Sequence, residues 1–247
     1  MREMNEVMRT MLNHRSVRKY TAESVSDEML ASIVGCGQAA ASSSFIQAYS
    51  VVNVTDPEHR QQIAAAAGGQ TWVENAARFL VLCADMRRIN YCCIDQEMGE
   101  LEGQAEHFIA ATVDVGLMAQ NMMLAAESLG LGCVFIGGIR NDPAVVRDLL
   151  ELPKHVYPAF GMCLGWPDQQ TEVKPRFPVE VVLHQGTYRD SVAEDVFDYD
   201  QLMSRYYESR SDNRRVSDWS EQTAAAVQKK KREHMLAFLQ EQGFLLR

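Results

Sequence analysis

The sequence predicts an α+β domain in which helices flank a small sheet, and three observations carry that reading. Short apolar runs with strand character, at about residues 48–55, 77–84, 133–136 and 157–165, are separated by segments of helical periodicity. Residues 106–129 carry apolar and small side chains almost all round, the pattern of a central, buried helix. After about Tyr188 the composition shifts to acids and aromatics in helical spacing, as in a C-terminal extension. The length of 247 residues fits one domain or one domain plus an extension, and a hydrophobic fraction of 47% allows a sizeable core.

The elements follow in order. Val7, Met8, Met11 and Leu12 share one side of a first helix over residues 3–13, which runs into the basic segment His14-Arg15-Ser16-Val17-Arg18-Lys19-Tyr20. Ser26 is placed to cap a second helix reaching about Gln38, because its hydroxyl can accept from an otherwise orphaned backbone N–H. Residues 39–44 form a small-residue loop before the strand at 48–55; Asp56-Pro57 then opens a helix that Gly68-Gly69 stops. The run at 77–84 is apolar without alternation, so it reads as a strand buried on both faces. Residues 86–103 are expected to be a loop or short helix. Gly130 and Gly132 end the long helix; a short strand over 133–136 leads to Gly137-Gly138, and Pro143 opens a helix to about Leu150. A buried strand over 157–165 and a last strand over 179–184 complete the sheet. Helices over 197–209 and 219–242 follow, joined by the arginine-rich piece 210–215.

Composition excludes several functions. The net charge of −9 repels polyphosphate, so nucleic acid is not an expected partner, and any phosphate must be held by a local group of cations. The most apolar region, about 108–136, is interrupted by Asp114, Gln120, Asn121 and Glu127 and does not read as a membrane span. The opening residues Met1-Arg2-Glu3-Met4-Asn5-Glu6 do not resemble a secretory signal. No two of the six cysteines form a C-x-x-C pair, no histidine stands at zinc-ligand spacing, and Cys83 and Cys163 sit in apolar runs as small hydrophobes. A reduced, cytoplasmic protein without a metal is the expectation. Hydrolase, zinc-protease and P-loop motifs are missing, and the glycines at 130–138 follow a helix, whereas a dinucleotide fingerprint follows a strand.

What stands out is basic punctuation in an acidic chain. His14, Arg15, Arg18 and Lys19 form one group, and Lys174-Pro175-Arg176 form a second, with Pro175 fixing its own φ. Two such groups can converge on one phosphate, with arginine as the bidentate partner; the competing reading is solvated surface charge. Arg205, Arg210, Arg214 and Arg215 make a third group, able to hold a second phosphate or to form a solvated turn. Lys229-Lys230-Lys231-Arg232 read as a solvated helix face. Ser42-Ser43-Ser44 and Ile136-Gly137-Gly138-Ile139 offer hydroxyls and bare backbone N–H groups, suited to a planar ligand lying on main chain; as ordinary turns they would do nothing.

The segments HRSVRKY (14–20), SSSFIQ (42–47), GGQ (68–70), AAESLGLG (125–132), IGGIRN (136–141), LGWP (164–167), KPR (174–176) and RRVSDW (214–219), in this order and spacing, resemble the group A oxygen-insensitive NADPH nitroreductases and the flavin reductase P-like oxidoreductases. The resemblance runs from about residue 7 to the C-terminus. It implies a nitroreductase-like α+β sandwich with a small, mixed, mostly antiparallel sheet, a long buried central helix and a domain-swapped homodimer. It divides the chain into an FMN-binding core, 1–190, and a helical arm, 191–247, that wraps the partner and contributes to the NADPH site. FMN would lie at the dimer interface: His14, Arg15, Ser16 and Arg18 on its phosphate and ribityl chain, Lys174 and Arg176 completing the phosphate clamp, and Ser42 and Gln70 at the polar ring edge. Phe135, Ile136, Gly137 and Gly138 would line the ring, with a glycine N–H at N5. Relatives often carry Tyr at the position of Phe135. Arg210, with Arg214, would take the NADPH 2′-phosphate, although the spacing from Arg210 to Arg214 and Arg215 is one residue shorter than in the relatives. The implied reaction is two-electron, ping-pong hydride transfer from NADPH to a nitroaromatic, quinone or flavin, with no side chain as obligatory acid or base. The alternatives are a flavin reductase supplying free reduced flavin, and a non-enzymatic flavin-binding redox sensor using Cys92-Cys93, in a segment, 86–103, longer than in the relatives.

Overall fold

A computed structural model describes residues 4–210, 214–229 and 231–247. The chain divides into two compact units, Met1–Gln170 with Arg232–Arg247, and Thr171–Lys231, whereas the resemblance places its boundary at 190.

The first unit is built on a four-stranded sheet in the order β1-β2-β4-β3, with β1 Tyr49–Asn53, β2 Arg78–Asp85, β3 Gly132–Ile136 and β4 Val156–Gly165. Every ladder is antiparallel, and the parallel element is a single bridge from Ser16 to Cys133. The two central strands are almost wholly buried, which explains their unbroken apolar runs. Alternate residues of β2 feed opposite layers. Leu80, Leu82 and Ala84 pack with Ile33, Met118 and Met122, and Phe79, Val81 and Cys83 pack with Ile63, Val73 and Ile139.

The α-helices in the Met1–Gln170 part of this unit are α1 Glu6–Leu12, α2 Asp27–Gln38, α3 Pro57–Ala66, α4 Trp72–Asn75, α5 Arg87–Asp95, α6 Ala105–Ser128 and α7 Pro143–Leu149. Their starts follow the expected chemistry: Ser26 Oγ accepts from Met29 N at 3.1 Å, and Asp56 accepts from the N–H groups of Glu58 and His59 ahead of Pro57. α2 lies so close on α6 that a Cβ at Gly37 would stand 2.5 Å from Met122 Cγ. The segment 86–103 contains one helix, α5, with no buried residue.

α6 is long and apolar enough to cross a membrane by length and composition. One of its faces is core, through Ala111, Val115, Met118 and Met122, but Ile109, Val113 and Leu117, spaced by four, are exposed. α1, which packs beside α6, leaves Val7, Met8, Met11 and Leu12 exposed as well. The all-round apolar pattern thus marks one face for this chain's core and another that this chain does not cover.

The second unit holds α8 Val179–Val182, α9 Val192–Ser209 and α10 Trp219–Lys229. Its centre is Tyr199, Met203 and Tyr207, with Phe177 stacked on Tyr199 at 3.9 Å and Trp219 edge-on to Phe177. The strand expected over 179–184 is a helical turn: Val179 and Val182 are exposed, and strand preference is a preference for a pleated surface to pack on. The helix expected over 219–242 is two, α10 and α11 Met235–Glu241, with Arg232 between them at φ 43°. The chain returns at Arg232 to the first unit, where α11 and the residues after it close over the end of the sheet, with Gln242 Nε2 bonding Pro153 O and Val156 O.

Candidate functional site

The basic segment after α1 is pinned by its backbone. Val17 N donates to Cys133 O at 2.9 Å, and Ser16 bridges Cys133, so the segment runs along the free edge of β3. Gly132 permits this approach: a Cβ there would lie 2.6 Å from Val17. Further on, the N–H groups of Arg18 and Lys19 both donate to Gln169 Oε1 at 2.7 Å, and Lys19 O accepts from Asp168 N. Tyr20 bonds Val17 O, and burial pushes its phenol well above its ordinary range. The buried side chain in this run is Val17, while Arg15, Arg18 and Lys19 face outward. Among the described residues neither Arg15 nor Arg18 pairs with a carboxylate. His14 does: its Nδ1 lies 2.6 Å from Glu127 Oε1, which fixes the ring and leaves Nε2 free of that contact.

A second anchor joins the segment to the loop after α3 and to the glycines after β3. The Arg18 guanidinium stands 5.7 Å above the Trp72 ring. Gln70 Nε2 bonds Ala67 O at 2.8 Å and packs on Gly138, where a Cβ would be 2.4 Å from that nitrogen and 2.5 Å from Ala67 O. Ile136 is buried, and Phe135 is half-buried, edge-on to Phe160 at 5.1 Å. Residues Gly137–Asn141 form a 3₁₀ turn, held from behind by Arg232, which donates to Gly137 O and Asn141 Oδ1, and by His234 at Arg140 O. Arg232 is therefore no solvated helix residue but a brace for the glycine turn. His14, Arg15, Ser16, Arg18, Gln70 and the 135–138 segment accordingly belong to one framework around β3.

Ser42 sits on a different scaffold. Its hydroxyl accepts from Gln47 N, closing a short loop in which Ser44, Phe45 and Gln47 all have left-handed backbone, at φ 46°, 59° and 52°. Such conformations cost about 1–3 kcal/mol each for residues with a side chain. Asp114, wholly buried in α6, accepts from the N–H groups of Ser43 at 2.8 Å and Ala48 at 3.2 Å. Phe45, at the loop's tip, is 81% exposed.

The remaining cations belong to the second unit. Lys174 Nζ lies 5.4 Å and Arg215 Cζ 4.3 Å from the centre of the Tyr207 ring, and Arg215 N donates to Tyr207 O. Burial opposes ionisation of the Tyr207 phenol, but hydrogen bonds from Lys174 and Arg215 and their charges outweigh it and set it below its ordinary value. Arg210 lies over Tyr206 at 5.9 Å, and its buried Nε has no hydrogen-bond partner among the described residues. Arg176 and Arg214 are exposed. The aromatic partners Trp72 and Tyr207, and the buried Asp114, escape a reading by motif. A lone acid inside an apolar helical run is the signal that marks Asp114.

No group of His, Cys, Asp or Glu suited to a metal ion is present among the described residues. The six cysteines are free; Cys83, Cys133 and Cys163 are buried, and desolvation pushes their thiols up. Cys92 is exposed and Cys93 half-buried on α5.

Residues 11–166 match the model of the nitroreductase family, and residues 174–247 match that of the nitroreductase family C-terminal domain. The chain belongs to the nitroreductase family. It is 45% identical over 244 residues to the NADPH-flavin oxidoreductase of Vibrio harveyi, covering 99% of this chain and 100% of that protein. It is 39% identical over 244 residues, with the same coverage, to the oxygen-insensitive NADPH nitroreductase of Salmonella typhimurium. Among solved structures, the NADPH:FMN oxidoreductase from Vibrio harveyi complexed with NAD+ matches with a TM-score of 0.89 and 43% identity, over 98% of this chain and 100% of that one. The nitroreductase fold in these relatives is the sandwich of helices around a small antiparallel sheet described above.

Proposed function

We propose that this nitroreductase is an FMN-dependent NADPH oxidoreductase that reduces nitroaromatics, quinones or flavins. The observation that carries the reading is a set of outward-facing cations without carboxylate partners among the described residues, Arg15 and Arg18 beside β3, in a chain of net charge −9. They fit a flavin phosphate; Lys174 and Arg176 would complete the clamp. FMN, when bound, supplies the two-electron transfer between NADPH and the acceptor.

The chain's own residues bind and orient. His14, held by Glu127, and Ser16, on the β3 edge, would meet the ribityl chain and phosphate, and Gln70 and Ser42 the polar ring edge. Phe135 and Ile136 would line the ring, with a Gly137 or Gly138 N–H directed at its reactive nitrogen; the packed turn behind them keeps that donor fixed, so little reorganisation is needed as charge develops. Arg210 and Arg214 would bind the NADPH 2′-phosphate. No side chain is assigned as an obligatory acid or base.

We further infer a homodimer with FMN at its interface and the part of the arm before Arg232 wrapping the partner, since Arg232–Arg247 pack with this chain's own first unit. The uncovered stripe of Ile109, Val113 and Leu117 with Val7, Met8, Met11 and Leu12 supports it. The free buried cysteines agree with a cytoplasmic setting. Neither nucleic acid nor a membrane is a proposed partner. Steady-state NADPH oxidation tests the reading: turnover with a nitroaromatic, a quinone or free FMN is expected, and NADPH oxidation with none of them contradicts it. Turnover with free FMN far above the other two would favour the flavin-reductase alternative, the activity named for the relative from Vibrio harveyi.

A further inference from the structure

Asp114 is a wholly buried carboxylate halfway along an apolar helix, with no cation partner among the described residues. Such a group is costly unless hydrogen bonds replace its water. Its two oxygens take one N–H each, from Ser43 and Ala48. These lie at the two ends of the loop in which Ser44, Phe45 and Gln47 have left-handed backbone. Within the loop, Ser42 Oγ receives Gln47 N, while Phe45 N and Ile46 N turn back to Ser42 O and Ser43 O. An alanine in place of Asp114 would suit helix and core better and would leave both loop ends without an acceptor. The fold of α6 thus has no need of this carboxylate, and the loop does.

We propose that Asp114 is a positioning residue of the flavin site: by gripping Ser43 N and Ala48 N it holds the 42–48 loop in its strained left-handed form and thereby sets Ser42 for the flavin. The inference rests on the reading that Ser42 meets FMN. Backbone strain of this kind persists only where surroundings over-determine it, and a charged acceptor in a dry site is a strong determinant. Ordering the loop before the ligand arrives spares the ligand that cost.

The test is FMN affinity of the full chain, measured by fluorescence quenching on titration with FMN, in Asp114→Asn, Ser42→Ala and the double variant. Asp114→Asn keeps the volume but turns an N–H donor toward one of the two loop amides, and is expected to weaken FMN binding about tenfold with the chain still folded by circular dichroism. In that background Ser42→Ala adds little, because the hydroxyl is already misplaced. Ser44→Gly, which accepts φ above zero without strain, restores part of the lost affinity. Were Asp114 only a structural group, Asp114→Asn would lower the melting temperature and leave FMN affinity, and the effect of Ser42→Ala, intact; that result overturns the inference while the flavin reading stands. A wild-type chain that binds no FMN brings down the flavin reading itself. If Asp114→Asn does not fold, hydrogen exchange on the wild-type chain decides. The Ser43 amide, on an exposed residue, is expected to exchange slowly with and without FMN, and exchange at an open-loop rate without FMN refutes the proposal.

Discussion

The basic segment 14–20 and the 171–231 unit both carry cations proposed for a phosphate, but they hold them in different ways. In the first, the main chain is fixed, through Val17 N on Cys133 O and the paired N–H groups on Gln169, and the guanidinium of Arg15 is left outward. In the second, the cations themselves are fixed, with Lys174 and Arg215 on Tyr207 and Arg210 on Tyr206. A fixed backbone with the Arg15 side chain left outward places charge near a ligand; cations set on aromatic rings place it in a defined geometry. Arg15 can thus adapt to a ligand, whereas Lys174, proposed for the flavin phosphate, and Arg210, proposed for the NADPH 2′-phosphate, are set in place before one binds.

If that difference is functional, the variants should separate. The largest effect is expected for Arg15→Ala and Lys174→Ala, each removing a proposed charge-assisted phosphate bond worth about 1.5–3 kcal/mol, so FMN occupancy after gel filtration falls by about ten- to a hundredfold. Full yellow colour retained by either variant breaks the phosphate assignment for that residue. Next, Arg210→Ala should raise the NADPH KM about tenfold and leave the NADH KM nearly unchanged, since only NADPH carries the 2′-phosphate. Equal effects on both coenzymes would take Arg210 out of that role.

A smaller effect tests the framework behind the glycine turn. Gly138→Ala puts a methyl against Gln70 Nε2 and Ala67 O. Since the Ala67 oxygen is backbone and cannot swing away, stability should drop by about 1–3 kcal/mol, read as a lower melting temperature. Adding Gln70→Ala should recover little; full recovery would mean that the side chain alone set the clash. The smallest effect concerns pH. The Tyr207 phenol titrates below its unfolded value, so between the folded and unfolded pKa values the unfolded chain holds more protons, and stability rises with pH. Tyr207→Phe should flatten that rise on the alkaline side up to about pH 10. A profile identical to wild type would show that Lys174 and Arg215 do not act on the phenol.

Much of this was legible in the residues, for identifiable reasons. Ser26 and Asp56 signal helix starts, because caps are local chemistry, and β2 and β4 show as unbroken apolar runs because both their faces are covered. The glycines near β3 stand where the main chain must approach closely, at Gly132 on Val17 and Gly138 on Ala67. What was hidden depended on non-local contacts. Val179–Val182 have strand composition but are helical, with Val179 and Val182 exposed. The uncovered stripe on α6 looked like core because periodicity reports apolarity and not which molecule supplies the cover. Arg232 reads as one more cation in a basic run, and only the fold places it on Gly137 O. Trp72 and Tyr207 become visible as partners of Arg18 and Lys174 only in three dimensions.

The most direct test of the central claim is the visible spectrum of the purified full chain after saturation with FMN and removal of the excess, before and after anaerobic NADPH. The account predicts a yellow protein with about one flavin per chain that NADPH bleaches within the mixing time and an electron acceptor restores. A colourless protein, or a yellow one that NADPH leaves unbleached, would contradict it.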